Sequence, residues 1–109
     1  MKSIKEQAEA LKTLLEDKKA EDAVLLHVAD RTIIADYFII CSGRSSTHVK
    51  ALCDEVEDSM KDLGLELLRI EGYNEGRWIV MDFASILLHI FCPDERQYYN
   101  MERLWSDPA

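Results

Sequence analysis

One unbroken apolar segment constrains the fold of this chain more than any other feature. Residues 37–41 read Tyr-Phe-Ile-Ile-Cys, and no polar residue alternates with them. A strand with one solvated face alternates apolar and polar side chains, whereas a strand covered on both faces does not. We therefore predict a central strand here, with covering elements on each side of its sheet.

An amphipathic helix is predicted directly after this strand. Residues 42–46, Ser-Gly-Arg-Ser-Ser, are typical of a turn, and Gly64 is placed as a C-terminal cap. Between them, one apolar stripe follows helical spacing over about residues 46–63 and consists of Val49, Leu52, Cys53, Val56, Met60 and Leu63.

Periodicity also predicts the remaining elements. They are a helix over about residues 3–18, strands over 23–28, 65–70, 77–83 and 86–92, and a final helix opening at Pro93. In that helix Tyr98, Met101 and Trp105 would share one side. The order αββαβββα predicts an α/β fold with one mixed five-stranded sheet and flanking helices. At 109 residues, the chain is expected to be a single domain over residues 1–109.

Charge and cysteine usage indicate the class of partner and the compartment. Lys and Arg total 13 against 21 Asp and Glu, a net charge of −8, and the surplus is greatest in residues 61–109. Such a surface repels nucleic-acid phosphates and attracts a basic partner. Three unpatterned cysteines indicate reduced thiols. With no apolar signal core in residues 1–7 and no membrane-length apolar run, we expect a cytoplasmic protein that does not bind membranes.

The turn at residues 42–46 admits two interpretations. A strand–glycine–helix junction with Gly43, Arg44 and Ser45 could hold a phosphate of a nucleotide, as the opening motif of nucleotidyltransferases does. Such enzymes also need two carboxylates one residue apart on a later strand, and no such pair occurs here. An ordinary helix cap by Ser45 or Ser46 is therefore the favoured interpretation.

No metal site or cofactor site is predicted from the histidines and cysteines. His48 and Cys53 are five residues apart on a helix, and His89 and Cys92 are three apart on a strand. Neither spacing places the pair on one face. A catalytic Cys–His pair from distant positions stays open on the residues alone, but His89 is better interpreted as a hydrogen-bonded residue within an apolar strand.

Two tryptophans stand at the ends of predicted elements. Trp78 begins a strand, and Trp105 lies near the end of the final helix, both among acidic residues. Tryptophan is a favoured anchor of protein interfaces, although packing at the edge of the core would also account for each one alone. Together they indicate an acidic, aromatic contact face.

Six stretches of the chain, in order, resemble the ribosomal silencing factor family RsfS, also called Iojap or YbeB. They are residues 36–46, 48–49, 71–72, 76–82, 89–91 and 96–105. The last, Arg-Gln-Tyr-Tyr-Asn-Met-Glu-Arg-Leu-Trp, is similar to the family's Arg-x-Phe-Tyr-x-Leu-Glu-x-Leu-Trp ending. The resemblance extends over about residues 4–106.

The resemblance implies a nucleotidyltransferase-like fold without catalytic carboxylates, and a non-enzymatic protein that is a homodimer when free. It further implies binding to the large ribosomal subunit through a basic, uL14-type ribosomal protein. The bound factor would block subunit joining and repress translation under starvation. By motif match, the contact surface would include Trp78, His89, Tyr99, Leu104 and Trp105, with Asp36, Glu71 and Asp82 as acidic candidates. Two other functions stay open on the residues alone: a nucleotide-binding or nucleotidyl-transfer enzyme, and an adaptor for some other basic partner.

Overall fold

The helices and strands of the fold follow one another in the predicted order. The structure is a computed structural model that describes residues 3–101 and residue 103. Its elements are α1 (Ile4–Asp17), β1 (Glu21–His27), β2 (Tyr37–Ser42), α2 (Ser46–Leu63), β3 (Arg69–Glu71), β4 (Trp78–Asp82), β5 (Ile86–Phe91) and α3 (Pro93–Tyr99). The predicted α/β class and the order αββαβββα are thus confirmed.

The strands form one five-stranded mixed sheet in the order β1-β2-β5-β4-β3. β2 and β5 run parallel, and the other neighbours are antiparallel. Ile39 and Ile40 point to opposite faces of β2, and both are fully buried. The segment at residues 37–41 is therefore the doubly covered strand that its composition predicts.

Helices α1 and α2 cover one face of the sheet. Leu11 and Leu15 of α1 and the apolar stripe of α2 share one core with Ile39, Leu88 and Ile90. Both helices begin at serine caps, because the Ser3 hydroxyl accepts from the Glu6 amide and the Ser45 hydroxyl accepts from the His48 amide.

The opposite face carries thinner cover, and we call it the α3 face. The seven-residue helix α3 is attached by a hydrogen bond from Arg96 Nη1 to the Ser42 hydroxyl at 3.0 Å. The loop between β1 and β2 adds Val28 and Ala35, which pack on Phe38. Beyond the reach of these elements, side chains of β4 stay only half-buried.

Two predicted elements differ from the sequence pattern by more than a residue or so at their ends. The strand predicted at 65–70 is reduced to β3, because Leu65 and Leu67 pack into the core from an irregular segment. The prediction that Tyr98 and Met101 share one continuous helix is wrong. Asn100 adopts a left-handed conformation (φ 47°) and ends α3, and helical geometry resumes at Met101.

The strands β3 and β4 form an antiparallel hairpin, whose turn depends on Gly72. Its φ of +82° is in the left-handed region, and a Cβ atom there would overlap the backbone carbonyl of Trp78. Gly64, with φ +71°, is a useful comparison, because a Cβ there would meet only the flexible Gln7 side chain.

We expect Gly72→Ala to lower the free energy of unfolding by about 3 kcal/mol or more, since it adds a backbone overlap to left-handed strain. Gly64→Ala introduces the left-handed strain without a backbone overlap and should lower the free energy of unfolding by about 1 kcal/mol. Urea denaturation of both variants measures the difference. Equal losses in the two variants would show that the hairpin can move away from a methyl group at residue 72.

Candidate docking surface

Trp78 is held in one orientation on the α3 face by three neighbouring rings. Its indole Nε1 donates a hydrogen bond to Nδ1 of His89 at 3.1 Å. Its ring stacks on Phe91 with centroids 5.0 Å apart, and the Tyr99 ring lies 4.8 Å away. A half-buried tryptophan is stable where its N–H has an acceptor, so this side chain presents a fixed aromatic edge to solvent.

His89 serves as the acceptor in this cluster. It is 5% exposed, and since Nδ1 accepts from the indole, the ring proton belongs on Nε2. Nε2 has no hydrogen-bond partner among the described residues. Burial lowers the pKa of His89 from 6.5 to about 4, because desolvation disfavours the charged form. The imidazole is therefore neutral near pH 7 and keeps the lone pair that orients Trp78.

The acidic candidates Glu71 and Asp82 are joined through one arginine on the same face. Arg69 Nη1 lies 3.4 Å from Oε1 of Glu71, and Arg69 Nε lies 3.4 Å from Oδ2 of Asp82. Asp82 also accepts from the Ala84 amide at 2.8 Å, and its side chain is only 19% exposed. The Glu71 side chain is 61% exposed, so it is the carboxylate that a partner can reach.

The predicted site residues divide into two places along the sheet. Trp78, His89 and Tyr99 meet in one cluster, and Glu71 lies on the next strand. Asp82 is four residues, roughly 13 Å, from Trp78 along β4, and Asp36 precedes β2 at that far end. Leu104 and Trp105 lie outside the described residues. We define the Trp78 surface as Trp78, Tyr99 and Glu71, supported from below by His89 and Phe91.

Two contacts of this surface are not among the predicted site residues. Phe91 forms the platform under Trp78, and the alternation of His89 and Phe91 along β5 was the signal that could reveal it. Arg77 donates from Nη2 and Nε to Glu95 at 2.7 and 2.9 Å. This pair fastens the start of α3 beside Trp78, and no local sequence pattern indicates it.

The loop with Gly43, Arg44 and Ser45 has the geometry of a closed helix cap. The Gly43 amide donates to the Phe91 carbonyl at 2.9 Å, and the Arg44 amide donates to His48 Nδ1 at 3.0 Å. These donors are thus already bonded within the chain and do not form a phosphate cradle. The adjacent cleft, about 450 Å³, is lined by arginine and carboxylate side chains alike, which gives a triphosphate little attraction.

Neither a group of metal ligands nor a membrane-spanning helix occurs in the described part of the chain. Within residues 3–101 and 103, no three His, Cys, Asp or Glu side chains are grouped so that they could hold a metal ion. In the same part of the chain, no helix has the length and apolar character needed to span a bilayer.

Comparison with known proteins decides the family. The whole chain, residues 1–109, matches the family model of RsfS, described as "Ribosomal silencing factor during starvation". The chain belongs to this family. It is 42% identical over 93 residues to ribosomal silencing factor RsfS of Halalkalibacterium halodurans, which is 85% of this chain and 80% of that protein. The Bacillus subtilis RsfS is 40% identical over 92 residues, with coverage of 84% and 78%.

A mitochondrial relative and two solved structures extend the comparison. The mouse protein named "Mitochondrial assembly of ribosomal large subunit protein 1" is 31% identical over 99 residues, with coverage of 88% of this chain and 43% of that protein. A crystal structure from Chromobacterium violaceum superimposes on this RsfS-family fold with a TM-score of 0.90 at 30% identity, covering 99% and 92% of the two chains. One from Bacillus halodurans gives 0.77 at 38% identity, covering 89% and 91%. The predicted family resemblance is therefore confirmed.

The buried His89 predicts a defined acid sensitivity. Between its native pKa of about 4 and the ordinary value of 6.5, the unfolded chain binds a proton that the folded chain does not. Stability should therefore fall as the pH drops through this window, by up to about 3 kcal/mol from this residue.

NMR titration of the His89 ring should give a midpoint near 4, as burial requires. Urea denaturation at pH 7 and pH 4.5 should show a smaller pH loss for His89→Gln than for the parent protein. His27→Gln, at an exposed position of β1, is the control and should lose as much stability between pH 7 and pH 4.5 as the parent protein. A ring midpoint near 6.5 would contradict the buried, neutral histidine.

Proposed function

We propose that this protein docks on the large ribosomal subunit through the Trp78 surface and thereby blocks joining of the small subunit. The proposed partner is a basic, uL14-type ribosomal protein, and the effect is repression of translation under starvation or in stationary phase. The observation that carries the proposal is the fixed, half-buried Trp78, with the accessible Glu71 on the neighbouring strand opposite Val80. Membership of the ribosomal silencing factor family supports it, and the mouse relative's name points to the large subunit.

The geometry of Trp78 suits an interface anchor. Binding normally costs free energy to order flexible side chains, and a side chain already held in place avoids that cost. Trp78 is held by a hydrogen bond to His89 and by stacking on Phe91. Tryptophan side chains of this kind supply a large share of the binding free energy in many interfaces.

The charge of the chain favours a basic partner over ribosomal RNA. A net charge of −8 repels phosphate groups and steers the protein toward positive surfaces. Glu71 is 61% exposed and offers one carboxylate directly on the Trp78 surface. Binding of this kind weakens as salt screens the charges.

The proposed action requires occupancy and no catalysis. A protein that binds only the free large subunit opposes subunit joining by about 2.7 kcal/mol when its concentration is about 100 times its dissociation constant. We propose that it acts in the cytoplasm as a non-enzymatic factor and that the free protein is a homodimer. Calorimetric titration with nucleoside triphosphates and Mg²⁺ should then give no binding heat.

Substitutions on the Trp78 surface should reduce binding to purified large subunits. We expect Trp78→Ala to weaken co-sedimentation with large subunits by about thirtyfold or more, since it removes the anchor. Glu71→Lys should weaken it by about tenfold at low salt and less at high salt. In the same sedimentation experiments, a larger fraction of large subunits should join small subunits when either variant replaces the parent protein.

Glu57→Lys is the matched control, because Glu57 is an exposed glutamate on α2, which covers the other face of the sheet. It makes the same charge change and should bind like the parent protein. Glu71→Lys alters a surface side chain, so it tests the proposal even where Trp78→Ala lowers stability. Undiminished binding by a folded Glu71→Lys variant together with a folded Trp78→Ala variant would reject the Trp78 surface.

A further inference from the structure

A second apolar surface lies at the end of the sheet away from Trp78. Ile33 in the loop between β1 and β2 is fully exposed, and Ile34 beside it is largely exposed. Leu68, in the segment that leads into β3, is also largely exposed. These three side chains line one cleft of about 660 Å³, which we call the Ile33 cleft.

The walls of the Ile33 cleft are anchored by the backbone. The amides of Asp36 and Tyr37 both donate to the Ser85 carbonyl, at 2.8 and 3.1 Å. On the facing wall, the Leu68 amide donates to the Asp82 carbonyl at 2.8 Å. The loop is therefore tied to the sheet, and its two isoleucines point outward from a bonded backbone.

The same loop also contributes other apolar side chains to the interior of the protein. Val28 is fully buried and Ala35 nearly so, and both pack against Phe38. Ile33 and Ile34, which stand between them in the sequence, take no part in that cluster. Exposed apolar side chains that lie together in one cleft are a feature of interaction sites.

One carboxylate in the cleft has no side-chain partner among the described residues. The half-buried side chain of Asp36 lines the cleft and makes no hydrogen bond or ion pair within residues 3–101 and 103. The other carboxylate there, Asp82, is already bonded to the Ala84 amide and to Arg69. Asp36 is thus the group that can accept a cation brought in by a ligand.

We propose that the Ile33 cleft docks a protein segment in which an apolar side chain stands beside a lysine or arginine. The aliphatic wall takes the apolar side chain, and Asp36 pairs with the cation. A phosphate-bearing ligand, whether nucleic acid or anionic membrane, would be repelled by this carboxylate. A two-fold contact centred on this cleft would bring Asp36 close to the Asp36 of a second copy, which like charges disfavour.

This surface is separate from the Trp78 surface. Asp36 precedes β2, whereas Trp78 begins β4 opposite the last residue of β5, so the two lie at opposite ends of the sheet. The proposal therefore holds or fails independently of docking through Trp78.

A library of short random peptides displayed on phage, selected on the full chain, tests the proposal. We expect the selected peptides to carry Lys or Arg next to an apolar residue. Their affinity, measured by fluorescence anisotropy, should fall by about tenfold or more in the double variant Ile33→Ser, Ile34→Ser, and also in Asp36→Asn. Added peptide should shift the amide NMR signals of residues 32–36 and 84–85.

Matched controls separate this cleft from other surfaces. Ile4→Ser removes an exposed isoleucine on α1, and Asp58→Asn removes an exposed carboxylate on α2. Both should bind the peptides like the parent chain, and so should Trp78→Ala. Three results would each overturn the proposal: no enriched peptide, full affinity in Asp36→Asn, or a dimer that becomes a monomer only in the double isoleucine variant. The last result would assign the cleft to a second copy.

Discussion

The parallel pairing of β2 with β5 is the constraint on which the rest of the structure depends. This pair occupies the middle of the sheet and is buried on both faces, so two layers must cover it. Helices α1 and α2 supply one thick layer. Among the described residues, the other face receives the seven-residue α3, Met101 after it and a loop, and this unequal cover leaves the β4 side of the α3 face half-open. The Trp78 surface is a direct consequence of that asymmetry.

His89 connects this surface to the centre of the fold. A histidine at the middle of β5 is a poor choice for stability, since burial lowers its pKa and leaves Nε2 without a partner among the described residues. An apolar side chain of similar size would avoid both costs. The imidazole nonetheless supplies a neutral acceptor that orients the indole of Trp78. A local loss of stability at a functional position is a common pattern in proteins.

Local patterns in the sequence predict most of the elements and only part of the site. The apolar stripe of α2 and the uniformly apolar residues 37–41 determine by themselves which side chains are buried. The predicted helix and strand therefore match the structure. The break at Asn100 and the shortening before β3 depend on backbone conformation and core packing, which periodicity does not report. The contact between Trp78 and His89 is diagonal, because Trp78 pairs with Phe91 in the register of β4 and β5. Register arises from tertiary structure, and so sequence spacing alone could not reveal that hydrogen bond.

The two proposed surfaces apply the same chemistry at opposite ends of the sheet. Each combines apolar groups with one carboxylate. Glu71 is accessible on the strand next to Trp78, and Asp36 lines the Ile33 cleft and has no side-chain partner among the described residues. On a ribosome, a chain with net charge −8 is repelled by RNA in most orientations. Contacts with basic protein segments would then determine where it sits. One such contact fixes a position and still permits rotation, whereas a second contact at the other end of the sheet would also fix the orientation that steric exclusion of a subunit requires.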